Sequence, residues 1–255
     1  MPRIRAIDVV RFNYPTYLTA ALVVLAAVVA LVAVELPDPA RLGVAAGGAG
    51  AGWWLIASTA AAAWVFDRPE YGSFAWVGDM VDRAEGSWLN VTAGFDATTN
   101  QLRRILPAER GSAIDMFDSA ERHDGPLLRA RRSRPPARAS VSPADSIALE
   151  DDSVQTVTML MSAHELEDDL PSVLAQLARI LAPGGRLVIA EFLRSPLNLI
   201  VFGPGGLHFR TRGEWLRSLE ESGFTLVVDR SVTPFVGVFV ATSPTSGETA
   251  GSQRR

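Results

Sequence analysis

The segment Leu177–Phe192, LARILAPGGRLVIAEF, carries the clearest architectural signal in this 255-residue chain. Its beginning completes a helix predicted over Leu170–Leu181, in which apolar residues recur on one face. Ala182-Pro-Gly-Gly then ends that helix, because proline lacks a backbone N–H and glycine permits a tight turn. Arg186–Glu191 follows as a predicted strand. The succession of helix, turn and strand indicates an α/β domain.

Further strands and helices alternate on both sides of this segment. The run Val154–Ser162, VQTVTMLMS, is continuously apolar, as expected for a strand that is buried on both faces. The other predicted strands are Trp88–Ala93, Ser112–Met116, Ala139–Ser142, Phe224–Val232 and Phe235–Thr242. The other predicted helices are Ala97–Leu106, Leu127–Arg134 and a helix from Thr211 to Gly223. The pattern predicts an α/β fold: a seven-stranded, doubly wound, Rossmann-like sheet that is mostly parallel, with an antiparallel terminal strand pair. Ligands bind such sheets at the carboxyl ends of the strands.

The first 66 residues hold the apolar excess of a chain that is 48% hydrophobic. Thr16–Val34 and Leu42–Phe66 contain no charge, and each is long enough to cross a hydrocarbon core of about 30 Å. The sequence ELPDPAR between them contains two prolines, which stop helix propagation. Residues 16–66 are therefore predicted to form a transmembrane helical hairpin, preceded by a cytoplasmic N-terminus over residues 1–15.

The distribution of arginine predicts the orientation of this hairpin. Arg3, Arg5 and Arg11 precede the first span, whereas the turn contains Arg41 beside acidic residues. By the positive-inside rule, both termini and the following domain lie on the cytoplasmic side of the inner membrane. A cleaved signal peptide is the alternative, and the second, longer span argues against it.

Small residues offer a packing surface inside the hairpin. Gly43 with Gly47, and Gly48 with Gly52, have G-x-x-x-G spacing, which lets two helices approach closely in lipid. Ala26 and Ala30 of the first span could face these glycines. The alternative is that glycine and alanine are simply frequent in this genome.

Residues 67–86 connect the hairpin to the domain. Phe74, Val77, Met80 and Val81 recur at helical spacing among charged residues, which predicts one amphipathic helix. This helix either lies on the membrane surface or caps the domain, and its mostly acidic charges favour capping. At the far end of the chain, residues 243–255 are polar and predicted to be a disordered tail.

Composition excludes several classes of function. The formal net charge of −4 gives no reason to expect a nucleic-acid partner. The absence of cysteine excludes disulfides, thiolate metal ligands and cysteine nucleophiles. The three histidines, His123, His164 and His208, are too widely spaced for a His-rich metal motif, so no metal site is predicted.

Several motifs together resemble the class I S-adenosylmethionine-dependent methyltransferases. Leu177–Phe192 is similar to that family's segment RVLKPGGxLxxxE, and Pro143–Leu166 is similar to its segment around an adenine-facing acid. A terminal strand pair follows the sequence ESGF, and the resemblance covers residues 87–242. The chain is also similar to a membrane-anchored bacterial subgroup with two N-terminal spans, which shares the sequences A-G-F-D, A-H-E and a late H-F.

The resemblance implies S-adenosylmethionine as the cofactor and places its binding residues at strand ends. These implied residues are Thr92, Ala93, Gly94 and Asp96 after the first strand, Asp115 and Met116 at the second, Asp145 and Ser146 by the adenine, and Ser162 and Ala163 after the fourth. The first loop departs from the family pattern, because Asn90 replaces an acid and Thr92 and Asp96 replace glycines. Asp96 could bond the ammonium group of the cofactor, or these side chains could narrow the pocket.

Methyl transfer requires chiefly alignment of the acceptor, because the sulfonium methyl group is already reactive. A base is needed only if the acceptor starts protonated. The candidate catalytic residues are His164, His208 and Glu191, with histidine preferred because it titrates near neutral pH. The candidate acceptor-binding residues are Glu165, Asn198, Phe202 and His208. The alternative for each histidine is a loop-holding role, and for Asn198 a helix cap.

An arginine cluster lies between the second and third predicted strands. It consists of Arg129, Arg131, Arg132, Arg134 and Arg138. It could meet anionic headgroups or an anionic substrate. The alternative is a solvated helix end with cations near its C-terminus.

These patterns predict a membrane-anchored methyltransferase that acts on a hydrophobic or membrane-resident small molecule. The anchor motivates this class of acceptor, because it would hold the active site where such molecules partition. The alternative is a catalytically silent methyltransferase-like module that serves as a membrane scaffold, which the altered first loop motivates. A protein or peptide methyltransferase is a third option.

Overall fold

The computed structural model describes residues 3–81, 86–118, 123–134, 139–143 and 145–243. Within these residues one sheet contains β1 (Trp88–Thr92), β2 (Gly111–Asp115), β3 (Ser140–Val141), β4 (Val154–Leu160), β5 (Leu181–Phe192), β6 (Thr225–Ser231) and β7 (Val236–Thr242). The order of the strands is β3-β2-β1-β4-β5-β7-β6. Neighbours run parallel except β7, which is antiparallel to both β5 and β6. The predicted seven-stranded sheet with an antiparallel closing pair is confirmed.

Helices precede the sheet and connect its strands. They are α1 (Ala6–Phe12), α2 (Tyr14–Ala33), α3 (Asp38–Ala62), α4 (Pro69–Gly72), α5 (Thr99–Leu102), α6 (Gly125–Ser133), α7 (Leu170–Ile180), α8 (Pro196–Phe202) and α9 (Arg212–Glu221). A π-helical turn, Ala63–Asp67, extends α3. Short 3-10 helices cover Ala75–Asp79, Ala108–Arg110, Ala163–Asp169 and Gly203–His208.

The central strands of the sheet are buried on both faces, which explains their continuous apolar runs. In β5, Leu187 and Ile189 belong to a core shared with α7 and α9. Val188 and Ala190 point the other way, into a second core that includes the end of α3 and side chains of α5 and α6. The loops at the carboxyl ends of β1, β2 and β4 lie between these helical layers.

Two elements differ in length from their predictions. The helix predicted over Ala97–Leu106 is confined to α5, because the chain turns at Arg103, whose guanidinium donates to two backbone carbonyls at and before the start of β2. β5 begins at Leu181 instead of Arg186, so that the Pro-Gly-Gly segment is a bulge within the strand. Both differences come from contacts with neighbouring segments, which local periodicity does not contain.

The prediction of one amphipathic helix over residues 67–86 is wrong within the described residues. Phe74 has a left-handed backbone (φ 56°), which separates α4 from the 3-10 helix Ala75–Asp79. Phe74, Val77, Met80 and Val81 are nevertheless buried in the second core, so the segment packs against the domain. Residues 82–85, and residues 244–255 of the predicted tail, lie outside the described residues.

The N-terminal helices α2 and α3 pack against each other as an antiparallel pair. Tyr14–Ala33 and Asp38–Asp67 are long and apolar enough to cross a membrane, and most of their surface is exposed. By length and composition they are candidate membrane spans.

One of the two predicted glycine pairs faces the neighbouring helix. A Cβ atom on Gly48 would lie 2.6 Å from the Ala27 Cβ, and one on Gly52 would lie 3.8 Å from the Val24 side chain. A Cβ atom on Gly43 or Gly47 would meet no described atom within 4 Å. The contact on α2 is therefore made by Ala27, while Ala26 is exposed and Ala30 is half-buried.

Candidate functional site

The loop after β1 turns sharply at Gly94 and is tied to the end of β2. Gly94 has φ 89°, and its N–H donates to Asp115 Oδ1 at 2.7 Å. A Cβ atom at this position would lie 2.9 Å from the Phe117 ring and 3.1 Å from Leu127. Glycine is therefore required here both by the backbone conformation and by the lack of space.

The polar residues that replace glycines in this loop bond within the chain. Thr92 is buried, and its hydroxyl donates to the Ile114 carbonyl at 3.1 Å. Asp96 Oδ1 accepts the backbone N–H groups of Thr98 and Thr99, where α5 begins. Asp96 thus has a structural partner at the start of α5.

Asn90, which stands where the family has an acid, is fully buried and satisfied by hydrogen bonds. Its amide nitrogen donates to the hydroxyls of Thr98 and Thr99, and its amide oxygen accepts from Thr158 at 2.9 Å. The amide therefore links β1, β4 and the start of α5. A buried network in which each member is paired rigidifies the loop.

Asp115 is the residue whose surroundings differ most from expectation. Its side chain is fully buried, and Oδ2 accepts a hydrogen bond from Arg131 while Oδ1 accepts from Gly94. Arg131 also donates to the Gly94 carbonyl at 3.0 Å, and its guanidinium lies 4.0 Å from the centre of the Phe117 ring. The carboxylate that the resemblance assigns to the ribose is thus paired with an arginine of α6.

Other arginines of the cluster fasten α6 to the N-terminal helix α1. Arg129 donates to the Phe12 carbonyl and lies over the Tyr14 ring at 5.4 Å. Arg134 forms an ion pair with Asp8 at 2.8 Å. These contacts contradict a fully solvated helix end. Arg132 is exposed, and Arg138 lies outside the described residues.

Helix α1 is in turn fixed to the end of the second candidate span. Asp67 Oδ1 accepts from the backbone N–H of Ala6 at 3.1 Å, and the Asp67 carbonyl accepts from Arg3 at 2.6 Å. A carboxylate at a helix N-terminus satisfies an otherwise open N–H group and the helix dipole. Helix α1 therefore joins the hairpin to α6 and to the loop after β1.

An open cleft of about 150 Å³ lies between α1, α6 and the loops after β1 and β4. The residues that line it include Phe12, Ala93, Leu127, Ser162, His164 and Glu165. Met161, also in the wall, has φ 57° and turns the chain sharply at the end of β4. A strained backbone at such a point is common at functional sites.

His164 is held at this cleft by Glu191, a fully buried carboxylate of β5. Glu191 Oε2 lies 2.9 Å from His164 Nδ1, and Oε1 accepts the backbone N–H of Ala163 at 2.6 Å. Glu165 Oε1 lies 3.5 Å from His164 Nε2. Burial alone would lower the pKa of His164, but the charge of Glu191 and the hydrogen bonds to both carboxylates outweigh it and raise that pKa well above 6.5. The protonated form of the imidazole is therefore favoured.

The remaining residues assigned to the cofactor are not all at the cleft. Ser162 lines it, although its hydroxyl donates to the Val91 carbonyl at 3.1 Å. Ala163 and Met116 are buried in the first core. Asp145 and Ser146 are exposed in the segment after β3. The structure thus brings Ala93, Ser162 and His164 together, and it leaves the adenine-side residues open to solvent.

The predicted acceptor residues fall into three settings. Glu165 lines the cleft with His164. Asn198 is fully buried, and its amide donates to the carbonyls of Leu193 and Phe235, which anchors α8 to the sheet. These contacts of the amide nitrogen serve the fold. His208 is exposed at the end of the 3-10 helix that follows α8.

Phe202 belongs to an aromatic cluster that reaches from His164 towards the candidate spans. The Phe209 ring lies 6.2 Å from the His164 ring and stacks on Phe192 at 5.4 Å, and Phe202 contacts both phenylalanines. Phe235 continues the cluster to Trp64 of the π-helical turn. Phe192 and Phe209 were not among the predicted site residues, and the pairing of Arg131 with Asp115 was not predicted, although Arg131 belongs to the arginine cluster noted in the sequence.

Comparison with known proteins agrees with this architecture. Residues 89–189 match the family described as "Methyltransferase domain". No curated protein sequence matches the chain significantly. A solved S-adenosylmethionine-dependent methyltransferase from Aquifex aeolicus is 19% identical with a TM-score of 0.53, covering 69% of this chain and 93% of that one. A geranyl diphosphate methyltransferase, solved with geranyl diphosphate and sinefungin, is 15% identical with a TM-score of 0.50, covering 67% and 78%.

At these identities the solved structures show the fold. The family match over residues 89–189 supports a methyltransferase enzyme that uses S-adenosylmethionine, as the sequence predicts.

Proposed function

We propose that this chain is a membrane-anchored methyltransferase that transfers the methyl group of S-adenosylmethionine to a hydrophobic small molecule resident in the bilayer. One observation carries the proposal. Val9, Phe12 and Asn13 line the cleft, and the first candidate span begins at the next residue, Tyr14. The cleft is therefore adjacent to the point at which the chain would enter the membrane.

Aromatic residues of the two candidate spans that have polar partners support a nearby membrane boundary. The Tyr17 ring contacts the Trp54 ring at 4.9 Å, and its hydroxyl lies 3.0 Å from Ser58 Oγ. Arg68 lies over Trp64 at 4.0 Å. Tryptophan and tyrosine are enriched at membrane interfaces, where an apolar ring and a polar atom are both accommodated. With the arginine-rich N-terminus, this favours a cytoplasmic domain on the inner membrane.

The residues around the cleft fit the amino-acid end of the cofactor better than its nucleoside end. Ala93 and Ser162 border open space, and the acidic side chains of Glu165 and Glu191 flank His164. Acidic side chains favour a cationic group nearby. Asp115 would accept the ribose hydroxyls only after Arg131 leaves it.

The cofactor supplies an electrophilic methyl group, so the residues at the cleft have to bind, orient and exclude water. Protonated His164 can donate a hydrogen bond from the ring to an acceptor oxygen. It can remove a proton only above its raised pKa. The half-buried ring of Phe209 lies between His164 and Phe202, and it offers an apolar surface for the body of the acceptor.

A catalytically silent membrane scaffold is the second candidate function. The specific observation that favours it is the pairing of Asp115 with Arg131. Such a module would retain the sheet and the hairpin but would not bind the cofactor.

Calorimetry on the full chain in lipid nanodiscs tests the proposal. Titration with S-adenosylmethionine should release or absorb heat, and saturation at 100 times Kd should add about 2.7 kcal/mol to the free energy of unfolding. Labelled methyl groups should then appear in the lipid extract of membranes that contain the chain, and S-adenosylhomocysteine should suppress this transfer. No heat and no shift in Tm would favour the scaffold. Binding followed by labelling of protein instead of lipid would overturn the acceptor class.

A further inference from the structure

An apolar segment of the catalytic domain stands out beside the candidate spans. Ser195–Leu207, SPLNLIVFGPGGL, contains no charged residue and comprises α8 and most of the 3-10 helix after it. Its exposed large apolar side chains are Leu197 (41%), Leu199 (36%), Ile200 (59%) and Leu207 (58%). Several exposed apolar side chains on one short segment suggest contact with another apolar phase.

The inner side of α8 is firmly anchored, so the outward apolar face is a stable feature. Ser195 caps the helix by accepting the Asn198 N–H at 3.2 Å. The buried Asn198 amide donates to Leu193 and Phe235, and Val201 is buried beneath the helix. These contacts hold Ile200 and Leu197 away from the core.

The end of α8 is also hydrogen-bonded to the second candidate span. Trp53 Nε1 donates to the Ile200 carbonyl at 3.1 Å, and Trp54 Nε1 donates to the Phe202 carbonyl at 3.1 Å. The last carbonyls of a helix lack partners within it, and in water they would bind solvent. In an apolar medium an unpaired carbonyl is costly. Two indole N–H groups from the span therefore satisfy this helix end in a way that suits lipid.

We propose that Ser195–Leu207 lies in the plane of the membrane on the domain side, with Leu197, Ile200 and Leu207 among the acyl chains. This inference rests on the proposed membrane anchor. It adds a second contact with the bilayer, located on the catalytic domain itself. Phe202 at the end of α8 contacts Phe209, which contacts His164. The segment would thus place the aromatic cluster at the surface from which an apolar acceptor arrives.

Single-cysteine spin labelling tests this position, because the chain has no native cysteine. Nitroxide labels at Ile200→Cys and Leu207→Cys in the full chain, reconstituted in phosphatidylcholine–phosphatidylglycerol vesicles, should collide more with oxygen than with a water-soluble nickel chelate. A label at Val28→Cys on α2 is the reference for an immersed site. A label at Val227→Cys is the matched control, because Val227 is an exposed apolar residue (54%) near the start of the edge strand β6, level with the amino end of β5 and away from α8. It should prefer the nickel chelate.

The outcomes separate this inference from the proposed function. If Val28 is immersed while Ile200 and Leu207 prefer the nickel chelate, the segment is aqueous and the inference is overturned, although the anchor stands. If Val28 itself prefers the nickel chelate, the anchor and the inference fall together. Immersion of Val28, Ile200 and Leu207 with an aqueous Val227 supports both.

Discussion

Replacing Arg131 with methionine probes the contact between α6 and the cofactor side of the sheet. Methionine keeps an apolar stem against Phe117 and removes the guanidinium. Asp115 would then be a fully buried carboxylate that retains the Gly94 N–H as a partner. Breaking a buried ion pair costs about 3–5 kcal/mol, and the low end applies because 23% of the Arg131 side chain is exposed. We expect Arg131→Met to lower the free energy of unfolding by about 3 kcal/mol.

The same change should strengthen cofactor binding. In the native chain the ribose would have to displace Arg131 from Asp115, and a hydrogen bond to a charged group contributes about 1.5–3 kcal/mol. Since about 1.4 kcal/mol corresponds to tenfold in Kd, the variant should bind S-adenosylmethionine about 10–100 times more tightly. Saturating cofactor should also recover most of the lost stability, because a ligand at 100 times Kd adds about 2.7 kcal/mol.

Thermal unfolding and calorimetry of the full chain, with and without cofactor, measure both effects. Arg132→Met is the matched control, because Arg132 is the next residue and is exposed. It should change stability by less than about 0.5 kcal/mol and leave Kd unchanged. Unchanged stability of Arg131→Met would show that the ion pair contributes nothing. Loss of cofactor binding in the variant would show that Arg131 holds the cofactor instead of competing with it.

Three further predictions concern His164, Gly94 and Gly48. Because the folded pKa of His164 is raised, the stability that its charge contributes is complete below the unfolded value of about 6.5 and is lost as pH rises through the folded value. In denaturant unfolding, His164→Gln should therefore lower the free energy of unfolding most at pH 5.5 and less at pH 9. A difference between the variant and the native chain that does not depend on pH would contradict this. Gly94→Ala should lower the free energy of unfolding by about 1–3 kcal/mol and weaken cofactor binding. The control Gly213→Ala, at an open helical position, should raise the free energy of unfolding by up to about 1 kcal/mol. Equal shifts in Tm for the two variants would refute the steric explanation. Gly48→Val should lower the concentration of sodium dodecyl sulfate at which the helical hairpin unfolds, and Gly47→Val should leave it unchanged. A larger effect of Gly47→Val would place the helix–helix contact on the pair Gly43 and Gly47.

The local sequence pattern alone was enough to predict the elements whose burial pattern is simple. Strands β4 and β5 are nearly continuous apolar runs because both of their faces are buried, and helix α7 buries apolar residues at the helical period, so the sequence shows these elements directly. The same holds for α2 and α3, whose composition permits little else than a long apolar helix. Where a segment is shaped by its neighbours, local pattern was insufficient. Phe74 breaks the predicted connecting helix because its side chain is drawn into the second core.

The candidate site depended on tertiary structure more than the fold did. His164 and Glu191 are 27 residues apart and Arg131 and Asp115 are 16 apart, and no spacing rule connects such pairs. The order of amino acids was enough to predict the class of domain, the two apolar helices and the strand ends at which polar residues gather. Which of those residues face open space, and which are paired with other side chains, depends on the folded chain. Their hydrogen bonds and ion pairs join side chains that are distant in sequence, and the packing of α1 and α6 against the sheet brings these side chains together.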